Sequence, residues 1–469
     1  MKILFIGARL FDDVYFYLQE KNIKSILTES NENSDNLDLA DKYYIVPRGM
    51  SEPLKIAIEE KVDGVIPLIG IDTPLFDVAL MKEVLENNYN IPVISSNKIA
   101  IKICINKFLT KKFFRYFNIK TPKYFIFNNN KDDDNNEDNK TNKKNSKKED
   151  NEDKNKNMKN EDKKEDSSDN ADYNLKLSEI DSLDIINSSS AYDNLKSFIK
   201  YLNNYENKDY ENKNYHECNY YETNVHENSN NLINNPNFPC VLKQFEGQGG
   251  KDIVIAKDMN SFVEYTNKFN LTLCEEYIDG YEISIEVLSY KNVYIPLVPV
   301  YKGETSLEGI HPLNKVRYAP SEVEGLDNDL VKDLAVKIAK NLNAEGTIDI
   351  DFIFSKKNKE LYVIEINPRP SGTRYLSMAS TSISPLLKLV DMISGDFNLN
   401  KINNEIKNYC ALEVPIGSYT SPKLEKSSKK FDKNSWVVHG PENYKRVTVS
   451  GENKEKLFEI VNDTLNLEI

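Results

Sequence analysis

Glu365-Ile366-Asn367-Pro368-Arg369 presents a carboxylate, an amide oxygen and a guanidinium at alternate positions, and Thr347-Ile348-Asp349-Ile350-Asp351-Phe352-Ile353 supplies a further carboxylate at Asp351. Mg²⁺ takes a few hard oxygen ligands and leaves its remaining positions to water and substrate phosphates, which suits Asp351, Glu365 and Asn367. Arg369 adds a fork of donors that matches phosphate oxygens. To place these groups together, Thr347–Ile353 and Leu361-Tyr362-Val363-Ile364 must be neighbouring strands. Alternating strands also turn carboxylates outward as a matter of course, so the pattern alone leaves a solvated pair open. Two further segments bear on the choice. Pro239-Cys240-Val241-Leu242-Lys243 reads as a strand ending in lysine, followed by Glu246-Gly247-Gln248-Gly249-Gly250-Lys251, whose glycines let backbone approach a phosphate. Leu273–Glu286 reads as a strand, a hinge with Gly280 and a second strand, with acidic residues flanking the hinge.

The ordered series Lys107, Lys243, glycine-rich turn, Glu275-Glu276…Gly280-x-Glu282, Asp351 and Glu365-x-Asn367-x-Arg369 resembles the ATP-grasp superfamily from the N-terminus to about residue 385. Within it, Glu-Ile-Asn-Pro-Arg-Pro followed by Ser371-Gly372-Thr373 is most similar to the carbamoyl-phosphate-synthase-like carboxylate–amine ligases. The resemblance implies that Lys107 and Lys243 contact ATP phosphates under a lid of Gly247, Gly249 and Gly250. It implies that Glu275, Tyr277 and Ile278 line the adenine pocket largely through backbone groups, and that Glu282 holds the ribose. Asp351, Glu365 and Asn367 are the implied Mg²⁺ ligands, with Mn²⁺ a substitute, and Arg369 and Lys243 the implied catalytic cations. Lys315 or Arg317 would pair with the substrate carboxylate. The chain departs from the family in having Asn106 before Lys107, where Asp is common.

The resemblance further implies an enzyme that joins a small-molecule carboxylate to an amine through an acyl phosphate, and a homodimer as a common assembly. Phosphoryl transfer needs positioning and charge neutralisation more than a protein nucleophile, in keeping with the lack of a Ser/His or Cys/His constellation. A bicarbonate-activating carbamoyl-phosphate-synthase-like enzyme or carboxylase is the alternative, although one grasp module without an amidase Cys/His arrangement does not make a complete carbamoyl-phosphate synthase. Outside enzymes, the alternative is a nucleotide-binding regulatory protein.

The expected architecture is α/β plus α+β. It comprises an N-terminal small parallel-sheet domain at 1–100, an ATP-grasp domain at 101–385 and a C-terminal α+β module at 386–469. In the first, Ile3–Ile6, Ser25–Thr28, Tyr43–Val46, Gly64–Leu68 and Pro92–Ser95 alternate with helical stretches, the rhythm of a parallel sheet with right-handed crossovers. Gly7-Ala8-Arg9 lacks the full dinucleotide fingerprint, so nicotinamide is not indicated. Arg9 and the Pro67–Asp72 turn lie where such sheets bind ligands, a place that also suits structural loops. In the last module, strands are expected at Ala411–Pro415 and Ser435–Val438 and a helix at Lys454–Leu465.

Two low-complexity insertions, at about 128–188 and 203–231, interrupt the middle domain. From Asn128 to Asn170 the only apolar residue is Met158, too little to offset chain entropy, so disorder is expected there. Between them, Leu195, Phe198, Ile199 and Leu202 repeat at helical spacing, which predicts an amphipathic helix over 191–202. In the family one helix lies here, so the insertions would flank it. His216, Cys218 and His226 lack a fixed fourth ligand and read as ordinary residues of a biased segment. His311, beside Pro312, reads as incidental to proton transfer.

The chain has 469 residues, 39% of them hydrophobic, a formal charge of −13 and no concentrated positive face, which argues against nucleic acid as a partner. Its five cysteines lack paired spacing, as in reducing compartments. The apolar N-terminal run is too short for a signal segment, and no run approaches a membrane span. A cytoplasmic protein with no membrane partner is therefore expected.

Overall fold

The computed structural model describes residues 1–128, 190–209, 236–247, 252–269, 271–308, 314–418, 431, 433–441 and 443–465. Most of both insertions, Gly249, Gly250, His216, Cys218, His226 and His311 lie outside them.

The first layer is a four-stranded parallel sheet. Its elements run β1 (Lys2–Ile6), α1 (Asp12–Glu20), β2 (Lys24–Glu29), β3 (Lys42–Ile45), α2 (Ser51–Glu59), β4 (Gly64–Pro67) and α3 (Leu75–Tyr89), in strand order β3-β2-β1-β4. The apolar runs of β1 and β4 are buried on both faces, as a parallel sheet covered by helices requires. A fifth strand at Pro92–Ser95 does not form. Only Val93 bridges to Val65, because Ser95 and Ser96 already turn the chain towards the next helix.

Next come α4 (Lys98–Ile105) and α5 (Lys107–Tyr116), capped by the side chains of Asn97 and Asn106. They lead into β5 (Tyr124–Asn128), α6 (Ser190–Asp209), β6 (Cys240–Lys243), β7 (Val254–Ala256), α7 (Met259–Lys268) and β8 (Leu271–Glu276). The four strands form an antiparallel sheet in the order β5-β8-β6-β7. The periodicity expected of α6 is seen: Leu195, Phe198, Ile199 and Leu202 are all buried, with Phe198 edge-on to Phe113 of α5. Cys240 and Cys274 are buried strand residues.

The remaining elements are β9 (Gly280–Tyr290), β10 (Val293–Pro296), β11 (Val300–Glu304), β12 (Arg317–Ala319), α8 (Asn328–Asn341), β13 (Gly346–Ser355), β14 (Leu361–Asn367), α9 (Arg374–Thr381), α10 (Pro385–Ser394), α11 (Leu399–Glu405), β15 (Cys410–Gly417), β16 (Ser435–His439), β17 (Lys445–Gly451) and α12 (Lys454–Glu459). Their strands make one large sheet, β14-β13-β9-β11-β12-β15-β17-β16, with β10 on β9. The C-terminal strands thus extend the central sheet through the β12–β15 pair. The expected last helix changes pitch after Glu459 to a π turn over Ile460–Thr464. Among the described residues, no helix is long and apolar enough to cross a membrane.

Candidate active site

Strand register brings the expected metal ligands together. Asp351 of β13 stands opposite Glu365 of β14, and Asp349 opposite Asn367. Ile350 and Ile366, between them in sequence, point into the core, so the polar members share the other face. The ladder slips after Asp351, leaving Ile364 as an extra residue on β14. The Asn367 amide lies 3.5 Å from Asp351 and 3.4 Å from Glu365. Its oxygen accepts from Arg369 at 3.2 Å.

A residue without a sequence signal completes this end. β11 bulges between Tyr301 and Gly303, and the extra residue, Lys302, donates to Asp351 Oδ1 at 2.6 Å. Burial raises the Asp351 pKa, Lys302 opposes it, and the neighbouring Asp349 and Glu365 charges raise it further. Burial would likewise raise Glu365, but Lys107, Lys243 and Lys302 outweigh it and hold that carboxyl below its ordinary value. The donor set suits Mg²⁺: two facing carboxylates, and an amide whose oxygen would face them after rotation about its last bond. Among the described residues no group of three or more His, Cys, Asp or Glu is arranged for a metal, so phosphate oxygens and water would fill the remaining positions.

At the other end, lysines gather around one carboxylate. Glu275 Oε2 accepts from Lys243 Nζ at 2.7 Å, and Oε1 lies 3.0 Å from Lys111 Nζ. Burial would raise the Glu275 pKa, but the two cations bring it down to about 2. Burial brings Lys111 down to about 8 despite its partner. Lys107, one helical turn earlier on α5, donates to the Gly247 carbonyl at 2.7 Å. Burial lowers its pKa against the pull of Glu365. Lys107, Lys243 and Lys302 therefore all lie near enough to Glu365 to act on its charge.

Two expectations need correction. The Glu275 carboxylate is committed to lysines and its backbone lies between β5 and β6, so it is not free to line a pocket, whereas Tyr277 and Ile278 lie beyond the end of β8. Arg317 is buried against Glu413 of β15 at 3.3 Å and ties the C-terminal strands to the sheet, leaving no fork for a substrate carboxylate. Lys315 donates to Glu282 at 2.7 Å and to the Glu304 carbonyl, on the rim with the expected ribose residue. Arg369 is aimed by Asp72 of the N-terminal layer, whose Oδ1 accepts from Nε at 2.6 Å. Sequence reasoning missed Lys111, Lys302 and the role of Asp72. The i, i+4 spacing from Lys107 could have found the first; the others depend on a bulge and on packing between layers.

An ATP-grasp domain family matches residues 220–373. A carbamoyl-phosphate synthase of Methanobrevibacter smithii is 41% identical over 465 residues, covering 99% of this chain and all of that protein. This chain is a carbamoyl-phosphate-synthase-like member of the ATP-grasp superfamily. The carbamoyl phosphate synthase large chain of Methanothermobacter thermautotrophicus is 27% identical over 177 residues, 36% of this chain but 17% of that protein. In fold, this ATP-grasp ligase is similar to the biotin carboxylase domain of 2-oxoglutarate carboxylase from Hydrogenobacter thermophilus, solved with MgADP and bicarbonate. The TM-score is 0.61 at 15% identity, with 99% of this chain and 89% of that one covered. It is also similar to N5-carboxyaminoimidazole ribonucleotide synthetase from Thermotoga maritima, with TM-score 0.57, 14% identity and coverage of 99% and 97%. The ATP-grasp chain is an enzyme of the carbon–nitrogen ligase class.

Proposed function

We propose that this enzyme uses ATP and Mg²⁺, with Mn²⁺ able to substitute, to join a small-molecule carboxylate to an amine through an acyl phosphate. The reading is supported by the Asp351–Glu365–Asn367 oxygen set brought together by strand register, the Asp72-aimed Arg369 beside it, and the lysines whose charges act on Glu365. When bound, the cation supplies charge neutralisation at the phosphate oxygens. Lys107 and Lys243 hold the phosphate chain, Tyr277 and Ile278 border the base, and Arg369 and Lys302 face the transferred group from opposite sides of the carboxylates. The acid's oxygen attacks the γ-phosphorus as ADP departs; the amine then attacks the acyl carbon, and phosphate leaves with that oxygen.

The 41% identical relative named for carbamoyl phosphate favours a second reading, in which bicarbonate is the acid. One isotope experiment separates the two. With a carboxylic acid found by substrate-dependent ADP release and labelled with heavy oxygen, released phosphate should carry one labelled atom. Phosphate labelled from heavy-oxygen bicarbonate instead establishes the second reading, and label from neither source during product formation defeats both.

A further inference from the structure

Lys111 of α5 has no place among the phosphate contacts above. Its side chain is only 1% exposed, and its ammonium is fully engaged inside the protein: it lies 3.0 Å from Glu275 Oε1 and donates to Thr121 Oγ1 at 2.5 Å. Thr121 in turn donates to the Val363 carbonyl at 2.8 Å, and the Val363 N–H donates to the Lys120 carbonyl at 2.8 Å. Lys111 is thereby fastened on one side to β14, two residues before Glu365. On the other side it meets the carboxylate that accepts from Lys243.

Counting charges gives this arrangement a direction. Two ammonium groups and one carboxylate, all nearly removed from solvent, leave one positive charge unmatched within the group. A buried charge is costly unless something pairs with it. Lys111 and Lys243 also repel each other. Among the described residues Lys243 donates only to Glu275, so two of the three donors of its ammonium are left for a ligand. Without Lys111, Glu275 would have Lys243 as its only ion-pair partner and would draw it back from any anion. With Lys111 in place, Glu275 keeps a cation whichever way Lys243 turns.

We propose that Lys111 is a positioning residue, the resident counter-ion of Glu275, which leaves Lys243 able to turn its ammonium to an anionic ligand, the phosphate chain of a nucleotide. The identity of that ligand rests on the nucleotide reading above. The i, i+4 pair on α5 then has two duties: Lys107 stands by the Gly247 carbonyl, and Lys111 stands behind Glu275.

The test is calorimetric titration of the full chain with MgADP. Lys111→Met should weaken MgADP about tenfold, the loss of a charge-assisted contact from Lys243. In a Glu275→Gln background the same substitution should have no further effect, because the carboxylate that would recapture Lys243 is gone. An equal weakening in that background would mean that Lys111 acts on the ligand by its own charge or only supports the fold, and would overturn the proposal. A second measurement needs no variant of Lys111. Burial brings this lysine down to about 8 among Glu275 of β8, Lys243 of β6, the charge of Glu365 on β14 and the Tyr124 ring of β5, so it is charged below that pH and neutral above it. Affinity for MgADP should therefore fall as pH rises through about 8. It should still do so in Lys107→Gln, which removes the neighbouring lysine whose pKa burial also lowers. A flat profile in Lys107→Gln overturns the proposal. Absence of MgADP binding by the wild type would remove the nucleotide reading and the ligand named here with it, whereas wild-type affinity in Lys111→Met would overturn the positioning role alone.

Discussion

Glu275 is a carboxylate buried between two lysines. Its buried charge balances Lys111 and Lys243, and removing one partner of a buried ion pair leaves the others uncompensated, at a cost of ~3 kcal/mol or more. Its folded pKa, about 2, lies below an unfolded value of about 4.3, so its contribution is complete above about pH 4.3 and is lost as pH falls towards 2. Glu275→Gln should therefore melt well below the wild type at pH 7, with the gap closing between pH 4.3 and 2 in chemical denaturation. A pH-independent gap would show that packing rather than charge is at stake. At the metal end, Glu365→Gln keeps shape but removes a hard anionic ligand. ADP release should fall by at least about a hundredfold with the melting temperature nearly kept. Turnover at the wild-type rate would remove Glu365 from the site.

Among elements, α6 is the clearest case of pattern becoming packing. It lies between two biased segments, yet its apolar stripe fills a groove against α5 and α8, with Phe198 fully buried among Phe113, Tyr116 and Phe117. Phe198→Ala should cost ~3–5 kcal/mol by urea denaturation, the price of a large core cavity, whereas a loss under 1 kcal/mol would mean that α6 is loosely held. The β11 bulge works differently. By adding one residue it turns Lys302 to Asp351, which regular alternation could not do. Lys302→Met should lower kcat with little change in KM for ATP, since Lys302 stands apart from the lysines of the phosphate end. An effect confined to KM for ATP would move it to the nucleotide side.

For the whole molecule, the layers are joined by a few specific contacts. Gly64 of β4 meets Ile393 of α10 so closely that a Cβ would lie 2.4 Å from Cδ1, while Tyr17 donates to Asp391 and Lys21 pairs with Asp396. Gly64→Ala should destabilise by ~1–3 kcal/mol through overpacking, read as a lower melting temperature. It should also slow ADP release, because Asp72, which aims Arg369, belongs to the same layer. Normal turnover in a destabilised variant would separate docking from catalysis. We propose 1–100, 101–385 and 386–469 as the working division of the chain, with the last part sharing the central sheet through β12 and β15.

Local rules reached far here. Alternation in 347–353 and 361–367, the lysine ending Cys240–Lys243 and the helical spacing of Leu195 to Leu202 are properties of neighbouring residues. The strands, the facing of Asp351 and Glu365, and α6 could therefore be read from the chain in order. The Glu-Ile-Asn-Pro-Arg sequence also carried enough chemistry to indicate its family. What the order of residues could not supply was which charge meets which. Arg317 and Lys302 are both basic residues near strands, but pairing with β15 buries one against Glu413, and a single-residue bulge delivers the other to Asp351. Asp72 and Arg369 are separated by almost 300 residues and meet only because two layers dock. Charge partners depend on strand register and layer docking, which are set by the total burial of apolar surface, and that sum is decided by the folded chain as a whole.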